Sequence, residues 1–452
     1  MRLPIFCLLA VGVWGCATER SASVSEPPAV HASGALPFIE NDYPRALAEA
    51  RARGLPLFVD TWAPWCHTCR SMRAYVFTDA ALARHAGRFV WLEMDTDLPS
   101  SAPFLEKYPV EFWPTFFILD PKEEKALVRF AGSATVAQLE KLFEDGERAY
   151  RGAAQGPEAL LARGDALYGE GKSAEAADVL AQALAEAPAD WSRRGRALES
   201  LLVAQQGAKR HEACARAALA ELPRVPPSAS WANAAGLGLS CALQVPRETP
   251  GAKELLAALE EKGRQALSPD IVMPGDDRSA VYELLVEART HVGDELGARA
   301  LAGQWLSFLE GEAARAPTPE ARTVFDSHRM SAALVLGDPM RAVPAIEQSE
   351  RELPNDYNPP ARLANLYRRL NRLDDALAAS TRALAKVQGG RRLRVLSERA
   401  EIHLARGERD QAARTLEDAL AYAKSLSAVQ ASPRMVASLE KKLAEVKGQR
   451  AP

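Results

Sequence analysis

The chain has 452 residues, enough for about three domain-sized units, and 56 Lys and Arg against 59 Asp and Glu give a net charge of −3. That balance argues against a protein held to nucleic acid by phosphate attraction. With 47% hydrophobic and 25% charged residues, wholesale disorder is excluded, and six cysteines are too few for a disulfide-rich scaffold, so each must be placed individually.

Met1-Arg2 forms a short positive region, and Leu3 to Gly15 is a mostly apolar run, so residues 1–15 read as an export signal that carries Cys7 away with it. Beyond it no apolar stretch approaches the ~20 residues that span a bilayer. Val13-Trp14-Gly15-Cys16 resembles the bacterial lipobox, which implies cleavage before Cys16 and lipidation of its thiol, although Trp14 departs from the small or β-branched residue preferred there. The alternative is an ordinary cleaved signal beside an incidental cysteine. Ala17 is not the aspartate that resembles an inner-membrane retention signal, so a periplasm-facing anchor in the outer membrane is expected. Residues 16–37, rich in Ser, Ala and Pro with no periodic apolar face, read as a flexible tether.

Residues 38–151 alternate between strand and helix patterns. A helix is predicted from Pro44 to Arg53, with Asp42 as N-cap and Gly54 as its stop. Short apolar runs predict strands at Leu55 to Val59, Phe89 to Leu92, Thr115 to Leu119 and Ala126 to Phe130, and a helix from Thr135 to Tyr150 closes the unit. Strands separated by helices, with a late hairpin, indicate an α/β domain with a mixed sheet.

After a linker the character changes to alanine- and leucine-rich helix. Leu160, Gly164, Leu167, Ala176, Leu180, Ala183 and Pro188 resemble the tetratricopeptide (TPR) pattern, in which small residues let two helices cross closely. Equivalent alanines are expected at Ala213 and Ala220, then at Ala342, Ala376 and Ala412, and Pro354 repeats the helix-ending role of Pro188. The predicted organisation is TPR-like repeats over 157–225, irregular helical repeats over 226–320 with Ala298 marking a degenerate unit, TPR-like repeats over 321–427, and a capping helix within 428–452. A non-repeating helical bundle is the alternative.

The chemistry sits in Trp62-Ala63-Pro64-Trp65-Cys66-His67-Thr68-Cys69. A Cys-x-x-Cys pair between a buried strand and a helix places the first sulfur over free backbone N–H groups, which lowers the pKa of Cys66. Cys69 lies one turn deeper. Cys66 is therefore expected to attack a substrate disulfide and Cys69 to resolve the mixed disulfide. A static structural disulfide is the alternative. Zinc would need two further ligands, for which no second Cys-x-x-Cys or suitably spaced His pair stands in the sequence. Cys214 and Cys241 fall in the helical region and read as small buried packing residues, with a bridge between them as the alternative.

The segment Val59 to Cys69 resembles the active site of the thioredoxin superfamily, closest in kind to thioredoxin-like domains of bacterial envelope reductases such as the C-terminal domain of the DsbD type. Val76-Phe77-Thr78-Asp79 and the run from Phe89 to Asp95 support that subgroup. The resemblance covers residues 38–150. It implies that Trp113-Pro114-Thr115 is a cis-proline loop beside the disulfide, with the Trp113 backbone exposed to an extended substrate, and that Asp60 is a buried acid relaying protons to Cys69. Asp60 as a strand-end surface acid and Pro114 as an ordinary trans proline are the plain alternatives. Trp65, His67 and Trp113 are expected to line the substrate site, though both Trp62 and Trp65 also suit a core. His67-Thr68 replaces the Gly-Pro of thioredoxin, and a protonated histidine there would stabilise the reduced thiolate. Trp91 stands where thioredoxin has a lysine near the buried acid.

Together these readings predict an exported, membrane-anchored thiol:disulfide oxidoreductase that needs no cofactor beyond the Cys66–Cys69 disulfide. Protein thiols and disulfides would be its substrates, and the helical array would bind a protein partner or substrate in a concave groove that Arg362 and Asn365 could line, exposed solubilising positions being the plainer reading of both. The alternative is a TPR-type binding scaffold whose thioredoxin-like domain is redox-inert.

Overall fold

The computed structural model describes residues 35–448. The expected signal segment and Cys16 lie outside the described residues. The tether is shorter than its composition predicts, because Leu36 is buried in the core and Ala35 N–H donates to the Phe77 carbonyl at 3.2 Å.

Five strands build the sheet: β1 (Phe38–Glu40), β2 (Leu57–Trp62), β3 (Val90–Asp95), β4 (Thr115–Asp120) and β5 (Lys125–Ala131). Their order is β1-β3-β2-β4-β5, with β3 parallel to both β1 and β2 and the β2–β4–β5 side antiparallel. Four of the strands coincide with the predicted apolar runs; β1, only three residues long, gives too short a pattern to be read. Successive side chains of a strand face opposite ways, so each strand feeds two cores. Leu57, Val59, Leu92 and Phe117 pack on one face, while Phe58, Trp91, Phe116 and Ile118 pack on the other.

Helices cover both faces. The first core takes Ala46, Leu47 and Ala50 of α1 (Tyr43–Arg53). Asp42 Oδ1 accepts from Arg45 N–H at 3.0 Å, and Gly54 leaves the helix with φ 63°. After β2, α2 (His67–Ser71) runs into a π-helical turn at Met72–Val76, and Met72 and Val76 enter the second core. Phe104 and Leu105 of α3 (Ala102–Lys107) join the first core, and Leu139, Leu142 and Phe143 of α4 (Val136–Tyr150) join the second. Thr135 caps α4 in a reciprocal capping box with Gln138.

The remaining helices follow in short-looped pairs. The first pairs are α5 (Gly156–Gly169) with α6 (Ser173–Glu186) and α7 (Arg194–Gly207) with α8 (His211–Glu221). The stretch where proline and glycine blur the period holds α9 (Ala229–Leu243), α10 (Ala252–Ala266), α11 (Gly275–His291) and α12 (Glu295–Arg315). After the short α13 (Pro319–Thr323) come α14 (Asp326–Leu336), α15 (Val343–Glu352), α16 (Asn358–Arg369) and α17 (Leu373–Leu384). The last are α18 (Gly389–Ala405), α19 (Arg409–Ala423) and α20 (Pro433–Lys447), which Ser432 caps. Among the described residues no helix is long and apolar enough to cross a membrane.

Small residues set the spacing of the pairs. A Cβ at Gly164 would stand 2.5 Å from Leu180 Cγ, so α5 and α6 approach only because Gly164 has none. Ala176, Ala298, Ala342, Ala376 and Ala412 are fully buried. Ala213 and Ala220, expected in the same role, face solvent. Because α8 begins at His211, its inward positions fall on Cys214 and Ala218. Cys214 is also not merely a packing residue: it is bridged to Cys241 of α9, with a Cα–Cα distance of 6.0 Å, and both are fully buried.

The array curves round the α/β domain. Arg129 of β5 donates to the Tyr168 carbonyl of α5 at 2.8 Å, and Gln138 of α4 to Ser230 of α9 at 2.9 Å. At the far end, Gln430 donates to the Asp97 carbonyl at 3.2 Å.

Candidate functional site

The site begins where β2 ends. Cys66 is the N-cap of α2, and Cys69 N–H points at Cys66 Sγ from 3.0 Å. The two sulfurs form a disulfide across a Cα–Cα distance of 5.3 Å. Cys69 is fully buried, whereas Cys66 keeps 4% exposure at the edge of a cleft of about 410 Å³. On reduction, the amide that faces Cys66 would favour its thiolate, since a hydrogen bond to an ionised sulfur is stronger than one to a thiol.

In β2, the strand that leads into the dithiol, Asp60 is buried with no hydrogen-bond partner among the described residues. Burial, and then the charge of Glu93, push its carboxyl up to about 8 against the opposing pull of Arg73. Glu93 stands opposite Asp60 in the parallel β2–β3 register, so both side chains share one face. Arg73 reaches Glu93 at 3.4 Å and lies 4.0 Å over the Trp62 ring. The expected lysine position is filled by Trp91, packed among Phe58, Phe89 and Phe143, and Arg73 supplies the local cation from the turn after α2. The sequence reading missed Arg73 and Glu93, although the alternation of β3 was a usable signal for Glu93.

The Trp113–Pro114 bond is cis. Trp113 and Trp65 meet edge to face at 5.2 Å, Trp113 Nε1 donates to Thr96 Oγ1 at 2.9 Å, and both rings line the cleft. Trp65 is not simply core. Its Nε1 donates to Asp97 at 3.3 Å, and the guanidinium of Arg391 from α18 lies 3.5 Å over its ring.

His67 lines the cleft but does not suit a protonated, thiolate-stabilising role: its ring centroid lies 3.9 Å from that of His328 on α14. Burial, reinforced by the nearby Arg362 charge, pushes His67 down to about 4, so the ring is neutral at pH 7 in the oxidised molecule and gives the sulfurs no full positive charge. His328 is pushed down by burial and by His67 and Arg362. Its Nε2 lies 3.5 Å from a Glu283 carboxyl oxygen and its Nδ1 shares a 2.6 Å hydrogen bond with the Ser279 hydroxyl, while Ser279 Oγ accepts from Trp305 Nε1 at 2.6 Å.

The array grips α2 and the segment before it directly. Arg70 pairs with Asp356 at 2.6 Å and donates to Thr323, and Ser71 donates to the buried Asp276 at the start of α11. Asn358 Nδ2 donates to the Pro64 carbonyl at 3.0 Å, between the two tryptophans of the motif. Arg362 and Asn365 are therefore not free surface residues. Arg362 is buried among Asp326, Asp356 and Arg70, and Asn365 donates to Glu398 at 3.0 Å. These partners lie hundreds of residues from the dithiol, and no local motif announces them.

Residues 39–121 match the family model described as thioredoxin-like. A thiol:disulfide interchange protein DsbD from Pseudoalteromonas atlantica is 33% identical over 87 residues, covering 18% of this chain and 15% of that protein. DsbD 2 from Pseudomonas aeruginosa is 30% identical over 139 residues, covering 26% of this chain and 24% of that protein. The chain thus spans less than a quarter of the length of these curated relatives. A tetratricopeptide repeat protein from Parabacteroides merdae overlays with a TM-score of 0.40 at 15% identity, covering 65% of this chain and 99% of that one. The match over 39–121 and the five-stranded sheet identify a thioredoxin-like domain, and the paired helices beyond it form a helical array.

Proposed function

We propose that this protein is a thiol:disulfide oxidoreductase acting on protein disulfides. The observation that carries the reading is the Cys66–Cys69 disulfide at the start of α2, with Cys66 facing both a backbone amide and a cleft. In the reducing direction the Cys66 thiolate attacks one sulfur of a substrate disulfide. The Cys66–substrate bond forms as the substrate S–S bond breaks, and the leaving sulfur departs as thiolate and takes up a proton. Cys69 then gives its proton to the ionised fraction of Asp60 and attacks Cys66 Sγ, which reforms the Cys66–Cys69 bond and releases the second substrate sulfur as a thiolate that takes up a proton. Asp60, held near pKa 8, suits a group that trades protons near neutrality. Trp113 packs against the pair, and with Trp65 it lines the cleft.

The proposal includes export and anchoring through lipidated Cys16 on the periplasmic side of the outer membrane. The Cys214–Cys241 bridge in the array supports an oxidising compartment, since such bonds rarely persist in a reducing cytosol.

Cys66→Ser in the full chain should abolish turnover of a protein disulfide by at least a thousandfold. Turnover unchanged by that substitution would reject the assignment.

A further inference from the structure

The cleft at Cys66 has two walls of different origin. Trp65, Thr68 and Trp113 of the thioredoxin-like domain form one. The other belongs to the array: Glu283 of α11 and Ser327, His328 and Ser331 of α14. That second wall is fixed in place. Its helices are tied to the domain through Ser71–Asp276 and Ser133–Asp277, and the neighbouring segments through Arg70–Asp356 and Asn358–Pro64. Several of these partners are buried, where breaking a charge-assisted hydrogen bond strands a desolvated group.

The consequence is steric. Sulfur exchange requires the substrate disulfide to reach about 3–3.5 Å from Cys66 Sγ. A standard protein–protein contact covers roughly 800 Å² on each partner, which needs an open face around the reacting atom. Here α14 stands beside Cys66, its His328 ring 3.9 Å from His67, so one side of the open face that such a contact needs is taken up by the array. The array wall also offers an unused polar group. Ser327 lines the cleft, and its Oγ has no hydrogen-bond partner among the described residues. A turn of the side chain about χ1 would present that hydroxyl to a peptide backbone. Glu111 and Glu283 line the cleft and, among the described residues, no lysine or arginine does, so an anionic occupant is disfavoured even though burial pushes Glu283 up.

We propose that the array completes the substrate site, and that the site takes a slender, extended peptide segment carrying the disulfide, without acidic flanking residues, rather than the face of a folded domain. This rests on the oxidoreductase reading above and makes Ser327 and Ser331 specificity-determining residues.

The test uses the full chain with three disulfides: a short unstructured peptide disulfide flanked by lysines, the same peptide flanked by glutamates, and a folded protein with a surface disulfide. The lysine peptide should show a kcat/KM at least tenfold above either of the others. Ser331→Trp, which fills the cleft, should cut kcat/KM for that peptide at least tenfold through KM, with the Cys66–Cys69 potential unchanged. Ser327→Ala, which removes a buried and unpartnered hydroxyl without threatening the fold, should raise KM about three- to tenfold at constant kcat. Equal turnover of peptide and folded protein, or peptide kinetics within twofold of the parent in both variants, would overturn the proposal. Oxidised glutathione, an anionic small disulfide, turning over faster than the lysine peptide would overturn it too. Absence of turnover with every substrate would instead count against the oxidoreductase reading itself, and the two failures are thereby told apart.

Discussion

At the scale of single residues, the dithiol and its buried acid make separable demands. Asp60 stays protonated in the folded chain to about pH 8, whereas an unfolded aspartate ionises near pH 4. The folded state therefore binds more protons between those values. The stability from this group is full below pH 4 and is lost as pH rises toward 8. Asp60→Asn removes that loss, so its urea midpoint should exceed the parent's by more at pH 8 than at pH 5. The same variant should slow resolution of the mixed disulfide about tenfold or more, read as accumulation of the Cys66 adduct. A midpoint difference independent of pH would mean that Asp60 is ionised in the folded chain. Cys66, Cys69 and the cis-proline loop were legible in the sequence because each belongs to a short local pattern. His328, Asp276 and Arg362 were not, because only tertiary packing brings them to the dithiol.

At the scale of elements, local chemistry was a good guide where an element is self-contained. Asp42, Gly54 and the Thr135–Gln138 box mark helix ends by their own hydrogen bonds or backbone angles, and the sequence reading placed α1 and α4 within a residue. Strand β1 escaped because it exists only by pairing with β3. The alanine period failed at α8, where the register turns Ala213 outward and Cys214 inward to meet Cys241. That bridge spans 27 residues, and closing such a loop in the unfolded chain stabilises by typically 2–4 kcal/mol. The double variant Cys214→Ala/Cys241→Ala should therefore lose about 2–4 kcal/mol by urea unfolding while retaining exchange at Cys66. Loss of exchange without loss of stability would show that the second pair is itself catalytic.

At the scale of the whole molecule, the array and the domain are one machine because the array closes on the active-site end. Gly389 at the start of α18 has φ 59°, and a Cβ there would stand 2.0 Å from the Asp97 carbonyl oxygen, so a side chain is excluded both by backbone angle and by contact. Gly389→Ala should loosen this closure, seen as at least tenfold faster proteolysis between α17 and α18 and faster turnover of bulky substrates. Unchanged proteolysis would show that the contact does not hold the two parts together. None of this closure was legible in the sequence, which reads the domain and the array as successive units joined by a linker.

The central claim is that Cys66 is an accessible, activated thiol in the intact chain. The direct measurement is the rate of Cys66 alkylation in the reduced full-length protein as a function of pH, followed by mass spectrometry. The account predicts a midpoint at least one pH unit below the ~8.5 of free cysteine. A midpoint at or above that value, or no alkylation while the fold is intact, would contradict it.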